Sequence, residues 1–162
     1  MQRSLLITGA SGYVGRWLLR RMEPGRFANV VCLVRRPDAI EPSVRERLGI
    51  ELVQGDLGAP QNYRNRLAEC TTVVHLAALT GKAPRAEHFR VNAEGTRQLV
   101  ETCAEAGVRE FLHVSSIVVK FADQTRYFYA QAKGQAEQFV TGSGLDYTIV
   151  RPTTVLGPRS GV

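Results

Sequence analysis

The chain has 162 residues, 44% apolar and 22% charged, which suits one globular domain with a substantial core. No uncharged apolar run nears the roughly 18–20 residues needed to cross a membrane, and the N-terminus lacks a secretory pattern, so no membrane partner and a cytoplasmic address are expected. The net charge of +6 rests on 18 arginines among 21 basic residues, but these are scattered and not interleaved with aromatics, which argues against nucleic acid and for a phosphate-bearing small molecule.

Short runs rich in Val, Ile and Leu alternate with longer helical patterns. Strands are predicted at Ser4–Thr8, Val30–Val34, Glu51–Gln54, Thr72–Leu76, Phe111–Ser115 and Tyr147–Val150, each with the little polar alternation of a strand buried on both faces. Helices are predicted at Tyr13–Met22, around Ser43–Leu48, at Asn62–Ala68, at Ala86–Ala106 with Gly107 as its stop, and at roughly Arg126–Val140. This alternation predicts an α/β Rossmann fold: a doubly wound parallel sheet, order 3-2-1-4-5-6, with helices on both faces, in one domain over residues 1–162. Cys32, Cys70 and Cys103 have no CxxC spacing, and His75, His88 and His113 no ligand spacing, so reduced, buried thiols and no metal site are expected. His75 and His113 fall within strands and read as structural.

Between the first strand and first helix stands Thr8-Gly9-Ala10-Ser11-Gly12-Tyr13-Val14-Gly15. Gly9 permits the tight turn, Gly12 lets the backbone approach a pyrophosphate, and Gly15 lets helix and strand pack closely. The anion would sit at the helix N-terminus, among its unpaired N–H groups, with Ser11, Tyr13 and Val14 completing the loop. At the end of the second strand an Asp or Glu would bind the ribose 2′-hydroxyl of NAD, but Arg35 and Arg36 stand there instead. Two guanidiniums suit a 2′-phosphate, which favours NADP over NAD. Asp56-Leu57 after the third strand reads either as an adenine border or as an ordinary turn.

Seven stretches together resemble the short-chain dehydrogenase/reductase superfamily: Thr8–Gly15, Gly55–Leu57, Val73–Ala78, Val91–Glu101, Phe111–Ser116, Tyr129–Lys133 and Tyr147–Pro158. Their order looks most like the NAD-dependent epimerase/dehydratase (extended) branch and its atypical NAD(P)-binding relatives. The resemblance implies a catalytic Ser116, Tyr129 and Lys133. Tyr129 would exchange a proton with a substrate hydroxyl or carbonyl, Ser116 would orient that oxygen, and Lys133 would lower the tyrosine pKa and hold the nicotinamide ribose. Tyr129 and Lys133, four apart on a predicted helix, share a face. It also implies that Leu76, Ala77 and Ala78 line the cofactor, that Asn92 lies beneath it, and that Pro152 and Thr153 pass near the nicotinamide.

Two features depart from the extended branch. Only thirteen positions separate Ser116 from Tyr129, and the chain stops at Val162, where extended members continue into a substrate-binding lobe. The expected function is therefore an NAD(P)-dependent oxidoreductase or epimerase domain acting on a hydroxyl or carbonyl of a small molecule, a nucleotide-sugar among the candidates, with that lobe absent. The alternative is a non-catalytic NADP-binding module, a redox sensor or structural subunit. An exposed sheet edge and self-association into a homo-oligomer are also expected.

Overall fold

The computed structural model describes residues 3–158. Six parallel strands form a single sheet: β1 (Ser4–Thr8), β2 (Asn29–Val34), β3 (Ile50–Gln54), β4 (Thr72–His75), β5 (Glu110–Val114) and β6 (Asp146–Val150). Their order is β3-β2-β1-β4-β5-β6, as the alternating pattern implies. Register is set by apolar positions on both faces: Leu6 pairs with Val31 on one side of β1 and with Val73 on the other.

Side-chain alternation along β1 divides the core. Leu5 and Ile7 pack with Val30, Cys32 and Val34 against Leu19 of α1 (Tyr13–Arg21) and Val44 of α2 (Pro42–Leu48). Leu6, Val31, Val73 and Phe111 face the other way, towards Leu67 of α3 (Arg64–Leu67), Leu99 of α5 (Gly95–Ala106) and Val140 of α6 (Phe128–Thr141). Cys32, Cys70 and Cys103 are free and buried, and burial pushes the Cys32 thiol up to about 12. The sheet ends at β6, where Tyr147 and Val150 are exposed.

The helix predicted over Ala86–Ala106 is interrupted. α4 (Arg85–His88) passes into a π-turn over Phe89–Glu94 before α5 begins. The wide turn coincides with Asn92, which faces inward: its Nδ2 donates to the Leu79 carbonyl at 2.9 Å and its Oδ1 accepts from the Leu79 N–H at 2.7 Å. That exchange pins the loop after β4 to the helix. The segment predicted at Asn62–Ala68 is also shorter, a 3-10 turn at Pro60–Asn62 followed by α3, because Pro60 supplies a fixed φ but no N–H.

Candidate active site

The C-terminal ends of β1, β2, β3 and β4 enclose a groove of about 290 Å³. Its floor is the glycine loop. Gly9 has φ +71°, and a Cβ there would collide with the backbone of Leu76 and Ala77 after β4. A Cβ on Gly15 would strike the Gly9 carbonyl and the backbone of Ala10. Bare backbone is thus required at both positions for β1, α1 and the β4 loop to meet. Gly12 is the extended N-cap of α1 and makes no side-chain cap, which leaves the first turn open to an anion.

Gly9, Ser11, Gly12, Arg35, Asp56, Leu57, Leu76, Ala77 and Ala78 all line this groove, so the structure brings together most of the candidates named from the nucleotide motifs. Gly15 lies behind the loop as packing. Tyr13, Val14 and Arg36 flank the groove without lining it: Val14 is 39% exposed, Arg36 caps a 3-10 turn over Pro37–Ala39, and the Tyr13 hydroxyl abuts Gly157. Asp56 lines the groove while its Oδ1 accepts from the Gly58 N–H at 3.0 Å, an Asx turn. Glu87, Arg90 and Val91 also line the groove and were missed by sequence reasoning. The π-turn changes which side of the helix faces inward there, and a regular 3.6-residue period cannot register that.

The second cluster stands at the ends of β5 and β6. Ser116 caps a 3-10 turn over Ile117–Lys120. The segment after β6 is held beside it, since Ile117 N–H donates to the Pro152 carbonyl at 3.0 Å. Arg151 grips Glu137 of α6 through two hydrogen bonds of 2.8 and 2.7 Å. Pro152 is therefore held beside Ile117, next to the Arg151 link to α6, and neither it nor the exposed Thr153 lines the groove.

Tyr129 is half-buried, with its ring 6.0 Å from His88 and 6.1 Å from Tyr127. Burial and Tyr127 raise its pKa above the ordinary phenol value, against a smaller lowering by the Ser116 hydroxyl. Lys133 lies fully buried one turn further along, with Nζ donating to the Val114 carbonyl at 2.8 Å and standing 3.2 Å from His113 Nε2. Burial pushes its pKa down to about 8, with Glu137 working in the opposite direction. The structure sets the Ser116 hydroxyl near enough to the Tyr129 phenol to lower its pKa. It turns the lysine towards β5 instead, so the expected lowering of the tyrosine pKa by Lys133 is absent from this arrangement.

A polar chain runs through the core beneath both clusters. Thr8 Oγ1 at the start of the glycine loop meets His75 Nδ1 at 2.6 Å, and His75 Nε2 meets Thr96 Oγ1 at 2.9 Å. Thr96 donates in turn to the Asn92 carbonyl at 2.8 Å. Asn92 is 1% exposed and bonded to Leu79, so it acts by holding the groove's wall rather than by lining it.

This fold and this loop define a dinucleotide-binding Rossmann domain. A family model described as NAD(P)H-binding matches residues 9–161, and the chain belongs to that family, within the short-chain dehydrogenase/reductase superfamily of reductases and epimerases. The chain is 39% identical to a ceramide reductase of Caulobacter vibrioides, over 94% of this chain and 46% of that protein. It is 28% identical to a UDP-glucose 4-epimerase of Vibrio cholerae, over 98% and 53% respectively. Among solved structures, a short-chain dehydrogenase/reductase superfamily protein of Agrobacterium tumefaciens with bound NAD superposes with a TM-score of 0.71 at 30% identity, over 92% of this chain and 48% of the other. The chain thus spans about half the length of these relatives. Among the described residues, no helix is long and apolar enough to cross a membrane.

Proposed function

We propose that this chain is the cofactor-binding part of an NADP-dependent reductase that acts on a carbonyl of a small molecule, with Ser116, Tyr129 and Lys133 as its catalytic set. The observation that carries this reading is the phenol of Tyr129, held beside Ser116 and one helical turn from a buried lysine at the sheet's C-terminal edge. The groove residues suit a dinucleotide: a glycine floor without Cβ atoms for the pyrophosphate, Asp56-Leu57 for the adenine end, and Arg35 for a 2′-phosphate. A nicotinamide cofactor, when bound, supplies the hydride that the carbonyl carbon accepts.

Tyr129 gives its proton to the carbonyl oxygen as the hydroxyl forms, and Ser116 donates a hydrogen bond that orients that oxygen. A phenol whose pKa is raised stays protonated at neutral pH and so holds the proton that the carbonyl oxygen takes up. Lys133 supplies a positive charge near the cofactor ribose. The 39% identical relative is named a reductase, whereas the relative named an epimerase of a nucleotide-sugar is more distant, so reduction comes first.

The test is turnover by the full-length protein over a panel of carbonyl compounds with NADPH. Tyr129→Phe should reduce kcat by about 10²-fold or more while NADPH affinity stays within about twofold. Undiminished turnover would exclude the proposed chemistry. Arg35→Ala/Arg36→Ala should abolish any preference for NADPH over NADH, and an unchanged preference would remove the case for NADP. The second reading, an NADP-binding module without catalysis, is favoured by one observation, the engagement of Lys133 with His113 and Val114 rather than Tyr129. NADPH binding without reduction of any panel member would support it.

A further inference from the structure

His75 and His113 occupy paired positions on β4 and β5, and both side chains are fully buried. Their rings stack with centroids 5.2 Å apart and planes 25° from parallel. Both nitrogens of His75 are engaged by threonines, which fixes that ring as a wall. His113 differs. Its Nε2 faces Lys133 Nζ at 3.2 Å, while its Nδ1 is buried and has no hydrogen-bond partner among the described residues.

An ammonium has only donors, so an imidazole nitrogen beside it must accept, and the ring must then be neutral with its proton on Nδ1. The unpartnered atom is therefore an N–H donor. Leaving one buried is costly, by roughly 1–3 kcal/mol, and such an atom in a folded core calls for an explanation. The engaged face supplies one. Without His113, the buried Nζ would keep, among the described residues, a single acceptor, the Val114 carbonyl.

We propose that His113 is a positioning residue for Lys133: its neutral ring accepts one ammonium proton at Nε2 and, with the Val114 carbonyl, fixes where that ammonium stands. Two of the three ammonium protons are then committed to the protein, and the third is left for a cofactor hydroxyl. That last assignment rests on the reductase reading above. The seat itself does not. Besides His75 and Lys133, the charged group acting on this pocket is Glu137 on α6, itself paired with Arg151 beyond β6; Tyr129 lies one turn back on the same helix. Removing an acceptor from a buried ammonium weakens its charged form and lowers its pKa further.

The experiment is titration of the lysine Nζ signals by ¹⁵N NMR in the full-length protein, with the Lys133 signal identified by its loss in Lys133→Arg. His113→Leu should lower the Lys133 midpoint by about one pH unit, a tenfold change in proton affinity. His113→Gln, which can place an oxygen near the Nε2 position, should restore it to within about 0.3 unit, whereas His113→Asn is too short to reach and should behave as the leucine variant. If the leucine variant does not fold, the Gln and Asn pair decides by itself. Equal midpoints in Gln and Asn, or a wild-type midpoint in a folded leucine variant, would overturn the proposal. NADPH affinity, followed by cofactor fluorescence, should weaken above the Lys133 midpoint and move with it across the variants. Failure to bind NADPH at all would sink the reductase reading and leave the NMR result standing.

Discussion

Beside β1 the floor of the groove is made of backbone, whereas between β4 and β6 buried polar side chains underlie the candidate catalytic cluster. In the first region Gly9 and Gly15 work by what they lack, and the core behind them is aliphatic: Leu5, Ile7, Val30, Val34 and Leu19. In the second region His75, His113, Thr96, Asn92 and Lys133 are all buried, and each must find a partner or carry a desolvation cost. A backbone site tolerates changes of pH and fails on added volume. A buried polar site tolerates little change in either.

The largest effect expected separates the regions sterically. Gly9→Ala and Gly15→Ala should each reduce NADPH affinity by about 100-fold or more and destabilise the domain by about 3 kcal/mol or more, since backbone atoms of Ala77 and Ala10 have no room to retreat. Gly12→Ala meets only the Gly9 carbonyl at 3.2 Å and should fold nearly as well as the parent. Calorimetry and cofactor titration of the three variants check this, and equal tolerance at all three positions would break the contrast.

Acid should act on the other region. Burial first, and Lys133 next, push the His75 pKa down to about 3, and His113 is lowered by the same causes together with His75 itself. Both histidines are neutral when folded and protonate near pH 6.5 when unfolded, so the unfolded chain binds more protons below that value. Stability present above pH 6.5 is thus lost as the pH falls. Two such groups predict a loss of about 3–4 kcal/mol between pH 7 and pH 5, with His113→Gln removing about half of it. Urea unfolding at the two pH values reads this directly.

Lys133 gives a pH dependence of the same sign in a higher window. Its folded pKa of about 8 lies below the ordinary lysine value of 10.5, so between those values the unfolded chain again holds the extra proton and stability rises with pH. Below pH 8 the cost of the buried charge is fully present. Lys133→Met should therefore be more stable relative to the parent at pH 7.5 than at pH 10, the difference narrowing by about 2 kcal/mol. A gap independent of pH would mean that the ammonium is better solvated than its surroundings suggest.

The backbone region was the more legible in sequence, for a physical reason. A required absence of Cβ leaves glycine as the only residue, so Thr8–Gly15 announced its role. The sheet order followed from apolar runs that match strands buried on both faces. The polar region wrote no comparable pattern. His75 and His113 sit in strands where a histidine reads as an isolated core residue, and only pairing in register shows that they stack. Asn92 was placed under the cofactor by resemblance, but its contacts with Leu79 depend on a π-turn that helical periodicity cannot reveal. The direction of Lys133 was equally hidden, since a four-residue spacing gives a shared face and says nothing about which neighbour the ammonium selects.

The smallest effect tests whether the end of the catalytic region depends on one ion pair. Glu137 and Arg151 form two hydrogen bonds, with the carboxylate side chain only 12% exposed. Burial raises the Glu137 pKa, but the Arg151 fork, with help from Ser115 and Lys120, outweighs it and the net shift is downward. By contrast, Arg3 and Glu110 pair at the other end of β5 with side chains 62% and 40% exposed, where water screens the attraction. Glu137→Gln should cost about 1–2 kcal/mol, because one fork contact is lost and a guanidinium keeps a poorer acceptor. Glu110→Gln should cost less than about 0.5 kcal/mol. Raising salt to 1 M should narrow the Glu110 difference and leave most of the Glu137 difference, because a partly buried pair lies beyond easy screening. If both substitutions cost the same and respond alike to salt, Arg151 is not what holds Pro152 beside Ser116, and the backbone bond from Ile117 to the Pro152 carbonyl carries that task alone.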